Sequence, residues 1–216
     1  WVIGETLITG IGQGYTQTTP LQLCQMTAQL ANGGFKIYPK IIVDENSKTV
    51  EEIKFLMNEN RKQLDKKNNG LKDAKELLEF LNKKEHEPLF KSSKNINLVR
   101  EAMFASTNEI RGTSYKSRID DPKYQFAGKT GTSQVRRITE ADRELDLKTF
   151  EIPYNERDHA LYIAFGPYKS PRYALSIVIE HGGSGSSTAA PIAKKLFKLI
   201  IDRHELREKK SKQNDL

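Results

Sequence analysis

Two nearly continuous apolar runs near the carboxyl end constrain the fold of this chain more than any other feature. The runs cover residues 159–166 and 173–180, and each has the length of a β-strand. Pro167 and Pro171 bound the short link between them, which is typical of a hairpin. Because polar residues do not alternate with apolar ones, we expect other elements to cover both faces of the sheet.

A third segment, residues 124–135, is predicted to be a strand and has unusual chemistry. Its middle reads Gly128-Lys129-Thr130-Gly131-Thr132. Glycines inside a strand mark a bulge or the close approach of another backbone. The ammonium, the hydroxyls and the free backbone N–H groups would suit a carboxylate that lies along the strand edge. The structural alternative is an edge strand in which Lys129 only discourages aggregation.

Helical patterns surround these strands. The first helix has Thr19 as its predicted cap and Pro20 at its first position, and Gly33-Gly34 can close it. A second apolar-faced helix covers residues 95–104 and breaks at Arg111-Gly112-Thr113. The final helix is predicted to have Thr188 as its cap, with a buried stripe that includes Ile192, Leu196, Leu199 and Ile200.

Length and composition exclude several classes of protein. The chain has 216 residues and a net charge of +7, and its single cysteine, Cys24, excludes an intramolecular disulfide. Its four histidines lack metal-ligand spacing. No apolar run is long enough to span a bilayer. The chain begins at Trp1, which predicts a fragment or a processed product whose membrane anchor, if there is one, lies upstream.

Two further segments carry no recognised nucleotide- or nucleic-acid-binding pattern. Gly10, Gly12 and Gly14 lie close together, but the Gly-Lys-Ser/Thr ending of a phosphate loop is missing. Residues 44–94 are rich in charge and are predicted to be a helical surface insertion. The Lys-rich part of this insertion has many acids and no interleaved aromatic residues, so we expect no nucleic-acid partner.

The order of these features resembles the C-terminal half of the transpeptidase domain of class B penicillin-binding proteins. Within that family it is most similar to the penicillin-binding protein 2 group, the elongation (rod-shape) D,D-transpeptidases. The resemblance rests on Gly-Ile-Gly-Gln-Gly at 10–14, Arg-Gly-Thr at 111–113, Lys-Thr-Gly-Thr at 129–132 and Arg157-Asp158-His159. It covers residues 1–43 and 95–203 well, whereas 44–94 match only loosely.

The resemblance implies a fold and a division into regions. The fold would be α/β (α+β) and β-lactamase/transpeptidase-like, with an antiparallel sheet flanked by helices. It would be incomplete, because the N-terminal half of the domain is missing. Residues 1–205 would form the C-terminal portion of the transpeptidase domain, with 44–94 as the insertion, and residues 206–216 a disordered tail.

The family works by serine acyl transfer through Ser-x-x-Lys, Ser-x-Asn/Asp and Lys-Ser/Thr-Gly motifs. No serine here is followed three residues later by lysine, so the nucleophile should lie upstream of Trp1 and the fragment alone should be inactive. Ser93-Lys94-Asn95 and Ser106-Thr107-Asn108 match the second motif but are interpreted as decoys, because the family places that motif before the glycines at 10–14.

The resemblance also implies roles for the third motif. Lys129 would keep the site electropositive, and the hydroxyls of Thr130 and Thr132 would bind the terminal carboxylate of a D-Ala-D-Ala stem peptide or of a β-lactam. Gly131 would leave room for the substrate, and the N–H of Thr132 would supply half of an oxyanion hole. No metal or organic cofactor is implied.

The same resemblance implies a cellular setting, and some alternatives stay open. The partners would be elongation-complex membrane proteins, including a glycosyltransferase, at the periplasmic face of the bacterial inner membrane. A β-lactamase or D,D-carboxypeptidase of the same fold, or a non-catalytic β-lactam-sensing domain, is the alternative. His159 is either a group near the substrate channel or a strand-start histidine satisfied by a neighbour, and the latter is favoured. Arg136 and Arg137 would attract the anionic glycan or face solvent.

Overall fold

The structure, a computed structural model, describes residues 2–12, 14–37, 39, 88–136 and 147–214. Residues 44–87 of the predicted helical insertion at 44–94, and Arg137, lie outside the described residues. The helices are α1 (Ile3–Gly10), α2 (Pro20–Ala31), α3 (Ser93–Asn108) and α4 (Ala190–Asn214). The strands are β1 (Ala127–Ser133), β2 (His159–Gly166) and β3 (Tyr173–Ile179).

The described strands form one antiparallel sheet in the order β1-β2-β3. Lys129 pairs with Ile163, which in turn pairs with Ser176. This arrangement confirms the predicted hairpin and the expected antiparallel sheet, with the third predicted strand beside the hairpin. It also leaves β1 at one edge of the described sheet.

Helices cover both faces of the sheet, as the apolar runs predicted. On one face, here called the α4 face, Tyr162 of β2 and Phe126 are fully buried with Phe197 of α4. The rings of Phe126 and Phe197 stack with their centroids 4.9 Å apart. On the opposite face, the α2–α3 face, Phe165 packs against Met103.

Local chemistry explains where α2 begins and how it packs. The side chain of Thr19 accepts a hydrogen bond from the N–H of Gln22 at 3.2 Å, and Gln22 Oε1 accepts from the N–H of Thr19 at 2.8 Å. This reciprocal cap confirms the predicted start. The Cys24 thiol is half-buried and donates to the carbonyl of Ala174 on β3, and burial raises its pKa.

A charged cluster fastens α4 to the segment before β1. Lys123 Nζ lies 2.8 Å from a carboxylate oxygen of Glu205 and 3.3 Å from one of Asp202. Tyr124 Oη donates a hydrogen bond to the same Asp202 oxygen. The tyrosine hydroxyl and the ammonium together hold the pKa of the Asp202 carboxyl below its ordinary value.

Two predictions for the last helix were wrong. Residues 206–214 are helical rather than a disordered tail, because the stretch holds good helix formers such as Glu, Lys and Arg and no Gly or Pro. Thr188 does not cap the helix, since a π-helical turn over Gly185–Ala189 precedes α4. Its hydroxyl instead donates to the carbonyl of Gly182 at 2.8 Å. No described helix is both long and apolar enough to cross a membrane.

Gly128 is required by the buried side chain of Tyr162. The Tyr162 hydroxyl hydrogen-bonds to the hydroxyls of Thr107 at 2.9 Å and Ser114 at 3.0 Å, and burial raises the pKa of this phenol. A Cβ built on Gly128 would overlap the phenol and lie 2.7 Å from its Cε1 atom. The ring therefore occupies the space that a side chain at position 128 would need.

We expect Gly128→Ala to lower the free energy of unfolding by about 1–3 kcal/mol, because the added methyl must displace the Tyr162 ring. Gly4→Ala is the matched control, since a Cβ at Gly4 in α1 meets no described residue within 4 Å. Urea unfolding of both variants measures the effect. Equal stability of the two variants would contradict the packing at Gly128.

Candidate functional site

The outer edge of β1 is the candidate site, and its backbone groups alternate in direction. Gly128 N–H donates to Thr107 Oγ1 at 3.0 Å, so this group points away from β2. Successive residues of a strand point their N–H and C=O groups to opposite sides. Since β1 pairs with β2 without interruption, the backbone groups of Thr130 and Thr132 also point away from β2.

Helix α3 covers only the first part of this edge. Thr107 contacts the backbone of Gly128, and Asn108 Nδ2 donates to the carbonyl of Phe126 at 2.9 Å. Further along, Lys129 Nζ donates to the carbonyl of Thr130 at 2.8 Å. Among the described residues, no group accepts a hydrogen bond from the N–H of Thr132. Within the described part of the chain, the edge is therefore satisfied at its start and open at its end.

The four predicted site residues follow one another on the open part of the edge. Lys129 and Thr132 are exposed, and Thr130 and Gly131 are half-buried. Lys129 Nζ also lies 3.4 Å from Thr130 Oγ1. Because side chains alternate along a strand, the two threonines lie on the α4 face and Lys129 on the α2–α3 face. The edge thus presents a cation, two hydroxyls and an open N–H together.

A chain of hydroxyls that no sequence pattern indicated leads to Thr130. Thr130 Oγ1 and Thr113 Oγ1 share a hydrogen bond of 3.2 Å, and Thr113 Oγ1 and Ser106 Oγ share another of 3.2 Å. The available signal was the threonine of Arg111-Gly112-Thr113, which the pattern indicated only as a helix break. Gly112 allows the approach, because a Cβ there would overlap the backbone of α3.

The Ser106-Thr107-Asn108 triplet lies at the end of α3, against β1. Its side chains bind Thr113, the backbone of Gly128 and the carbonyl of Phe126, respectively. The triplet therefore positions the strand edge through structural contacts. Ser93-Lys94-Asn95 opens the other end of the same helix.

Two neighbouring glycines differ in what the fold demands of them. A Cβ on the buried Gly185 would overlap the carbonyl oxygen of Leu161 and lie 2.6 Å from that of Gly131. Among the described residues, a Cβ on Gly131 would meet only the Cβ of Leu161, at 3.3 Å. Packing thus excludes a side chain at Gly185. At Gly131, the described neighbours would hinder an added side chain far less.

The remaining candidates have structural partners. His159 Nδ1 accepts a hydrogen bond from the N–H of His181 at 2.9 Å, so His159 is satisfied by a neighbour, as favoured from the sequence. Arg136 Nε lies 3.7 Å from a carboxylate oxygen of Glu156, so this cation is not simply turned to solvent. No group of three or more His, Cys, Asp and Glu in the described parts of the chain could hold a metal ion.

A comparison with protein families decides the assignment. The model for the penicillin binding protein transpeptidase domain matches residues 1–198. The chain belongs to this family. The mixed helix and strand architecture, with its antiparallel sheet, is that of the penicillin-binding proteins whose solved structures it matches.

Curated relatives within the penicillin-binding proteins are named peptidoglycan D,D-transpeptidase MrdA. The relative from Salmonella typhimurium strain LT2 is 34% identical over 203 residues, which is 94% of this chain and 28% of the relative. The relative from Haemophilus influenzae is 29% identical over 209 residues, 94% of this chain and 27% of the relative. The chain thus spans less than a third of the length of these relatives.

Solved structures of penicillin-binding protein PBP2 are also similar. Pseudomonas aeruginosa PBP2 in complex with WCK 5153 is 31% identical, with a TM-score of 0.55 over 90% of this chain and 32% of that one. Helicobacter pylori PBP2 in complex with MreC is 26% identical, with a TM-score of 0.61 over 95% of this chain and 28% of that one. The expected similarity to the penicillin-binding protein 2 group is confirmed.

The Thr107 hydroxyl should control access of solvent to the start of the β1 edge. Thr107→Val removes the acceptor of the Gly128 N–H, so we expect amide hydrogen exchange at Gly128 to become faster. Thr107→Ser keeps a hydroxyl and is the matched control, with exchange close to that of the wild type. Residue-resolved exchange measured by NMR tests this, and unchanged protection in the valine variant would contradict it.

Proposed function

We propose that this chain is the C-terminal portion of a serine-type peptidoglycan D,D-transpeptidase and that β1 holds its substrate. The observation that supports this most is the open end of the β1 edge, where the N–H of Thr132 points outward beside Lys129 and Thr130. An extended peptide that lies along such an edge gains main-chain hydrogen bonds. The bound peptide would be a stem peptide that ends in D-Ala-D-Ala.

The chemistry of the edge suits the two charges that this reaction presents. The terminal carboxylate of the stem peptide would accept hydrogen bonds from the hydroxyls of Thr130 and Thr132. Lys129 would add a positive charge, which strengthens such bonds. The N–H of Thr132 would donate to the oxyanion that forms when the scissile carbonyl is attacked, and one such donor is worth about 3 kcal/mol of barrier.

Comparison with Gly128 and Gly185 suggests why position 131 has no side chain. Gly128 and Gly185 are required by their packing neighbours, but within the described parts of the chain Gly131 has only one tight neighbour, the Cβ of Leu161. We propose that substrate passing over Gly131 is the further reason for glycine. The chain of hydroxyls from Ser106 through Thr113 would hold the Thr130 hydroxyl in place for the carboxylate.

The nucleophile belongs to a part of the protein outside this sequence. Relatives are more than three times as long as the matched region, since it covers 28% of the Salmonella relative. We place Ser-x-x-Lys and Ser-x-Asn/Asp upstream of Trp1 and expect the isolated chain to be inactive. Residues 1–205 would be the C-terminal portion of the domain, with 44–94 as an insertion.

The proposed partners follow from the same assignment. β-Lactams would acylate the protein because they mimic the D-Ala-D-Ala end. Elongation-complex membrane proteins, including a glycosyltransferase, would be its assembly partners, and the H. pylori relative is solved in complex with MreC. The site would face the periplasm at the bacterial inner membrane.

Fluorescent penicillin labelling of the full-length protein that contains this chain tests the proposal. We expect Lys129→Ala to slow acylation by about 100-fold, because the cation helps to hold the anionic ligand and the developing charge. Lys116→Ala is the matched control, since Lys116 is an exposed lysine outside β1. Equal labelling of the two variants would contradict the role of the strand.

The same samples separate the neighbouring activities. A transpeptidase stays acylated, so a chromogenic cephalosporin should be turned over only slowly. Rapid turnover would indicate a β-lactamase, and release of the terminal D-Ala to water alone would indicate a D,D-carboxypeptidase. Acylation without any transfer or hydrolysis would indicate a β-lactam sensor.

A further inference from the structure

A polar junction lies at the carboxyl end of β1, and the proposed reaction does not yet account for it. The junction consists of Asp158, His159, His181 and Gly183. We propose that Asp158 is a positioning residue that fixes the end of β1, and with it the N–H of Thr132, for acyl transfer. This inference rests on the function proposed above and adds a residue that does not touch the substrate.

Asp158 joins two chain segments that are distant in sequence. Its carboxylate oxygen Oδ1 accepts a hydrogen bond from the N–H of Val135 at 3.1 Å. Its carbonyl oxygen accepts one from the N–H of Gly183 at 2.8 Å. Val135 lies three residues beyond Thr132, so Asp158 holds the chain directly after the candidate oxyanion donor.

The two histidines lock the loop at the end of β3. His181 N–H donates to His159 Nδ1 at 2.9 Å, and His181 Nδ1 donates to the carbonyl of Arg157 at 3.1 Å. Their rings meet edge to face at 4.9 Å. These bonds hold His181 at φ 54°, a left-handed conformation that is uncommon outside glycine. Such a conformation persists only where surrounding contacts impose it.

The locked loop rests directly on the site strand. Gly183 has φ 75°, and a Cβ there would overlap the side chain of Thr149. Two residues later, a Cβ on Gly185 would lie 2.6 Å from the carbonyl oxygen of Gly131. The loop at 181–185 is therefore confined between the junction and the backbone of the residue that precedes Thr132.

The junction thus reaches the end of β1 in two ways. Asp158 holds Val135 on the far side of Thr132, and the loop that Asp158 anchors through Gly183 packs against Gly131 on the near side. A shift of about 1 Å in a group that acts in the transition state can cost roughly 100-fold in rate. Loss of the Asp158 carboxylate removes the contact to Val135 and leaves the backbone contact to Gly183. It should therefore reduce catalysis more than overall stability, because the half-buried Asp158 lies outside the aromatic core around Phe126.

The test measures acylation of the full-length protein by a β-lactam, with the rate of the covalent step separated from the affinity of the initial complex. Asp158→Ala should slow the covalent step by about 10- to 100-fold with little change in initial affinity or melting temperature. Asp158→Asn keeps an Oδ1 acceptor for Val135 and should restore most of the rate. Asp120→Ala is the control, because among the described residues that exposed carboxylate pairs only with Arg118, at 2.9 Å.

A second variant covers the case in which Asp158→Ala fails to fold. His159→Phe removes the acceptor of the His181 N–H and should slow the covalent step in the same direction. A covalent rate that stays at the wild-type value in folded Asp158→Ala, or in His159→Phe if the alanine variant does not fold, would overturn the inference. An equal reduction of the covalent rate in Asp158→Asn and Asp158→Ala would also overturn the inference.

Amide hydrogen exchange keeps the two proposals separate. If the wild-type protein takes no label at all, the proposed function fails, and exchange then decides the positioning claim alone. Faster amide exchange at Val135 and Ser133 in Asp158→Ala, or in His159→Phe if the alanine variant does not fold, would support positioning of the strand end by the junction. Exchange at both amides that matches the wild type would overturn it.

Discussion

The hydrogen bond from Gly128 N–H to Thr107 Oγ1 is the contact on which the arrangement of the β1 edge depends. It shows which backbone groups of the strand face away from β2, and it satisfies the first of them. The same hydroxyl contacts Tyr162, whose ring occupies the space beside Gly128. A buried polar cluster thus fixes the start of the strand, and the N–H of Thr132 is left without a partner among the described residues.

Strain and packing are concentrated around this open end. Gly185 packs closely against the backbone of Gly131 from the α4 face. At the end of β3, His181 has a left-handed backbone conformation. Lys129 lies on the opposite face and already donates to the carbonyl of Thr130. The open edge is therefore rigidly supported, which suits a strand that must present hydrogen-bond donors without reorganising.

Local chemistry was enough to predict part of this structure. The hairpin of β2 and β3 follows from two apolar runs bounded by prolines, and the start of α2 follows from Thr19 and Pro20. The site residues Lys129 to Thr132 were found because a cation and hydroxyls beside glycines are unusual in a strand. Each of these signals lies within a few residues of the feature that it predicts.

Features that depend on distant contacts were missed. The contact between Thr113 and Thr130 joins residues 17 positions apart, and no local sequence pattern predicts it. Asp158 reaches Val135 across 23 positions. The helical end of α4 differs from the predicted disordered tail for another reason. The stretch is charged and lacks an apolar stripe, which is typical of a tail, but its residues favour a helix.

In the proposed function, the outward N–H of Thr132 receives the ligand. Residue-resolved amide hydrogen exchange in the full-length protein, before and after acylation by a β-lactam, tests it most directly. We expect exchange at the Thr132 amide to slow strongly on acylation, whereas exchange at the Gly131 amide changes little, because Gly131 pairs with Leu161 of β2. Exchange at Thr132 that is the same in the free and the acylated protein would show that this N–H does not receive the ligand.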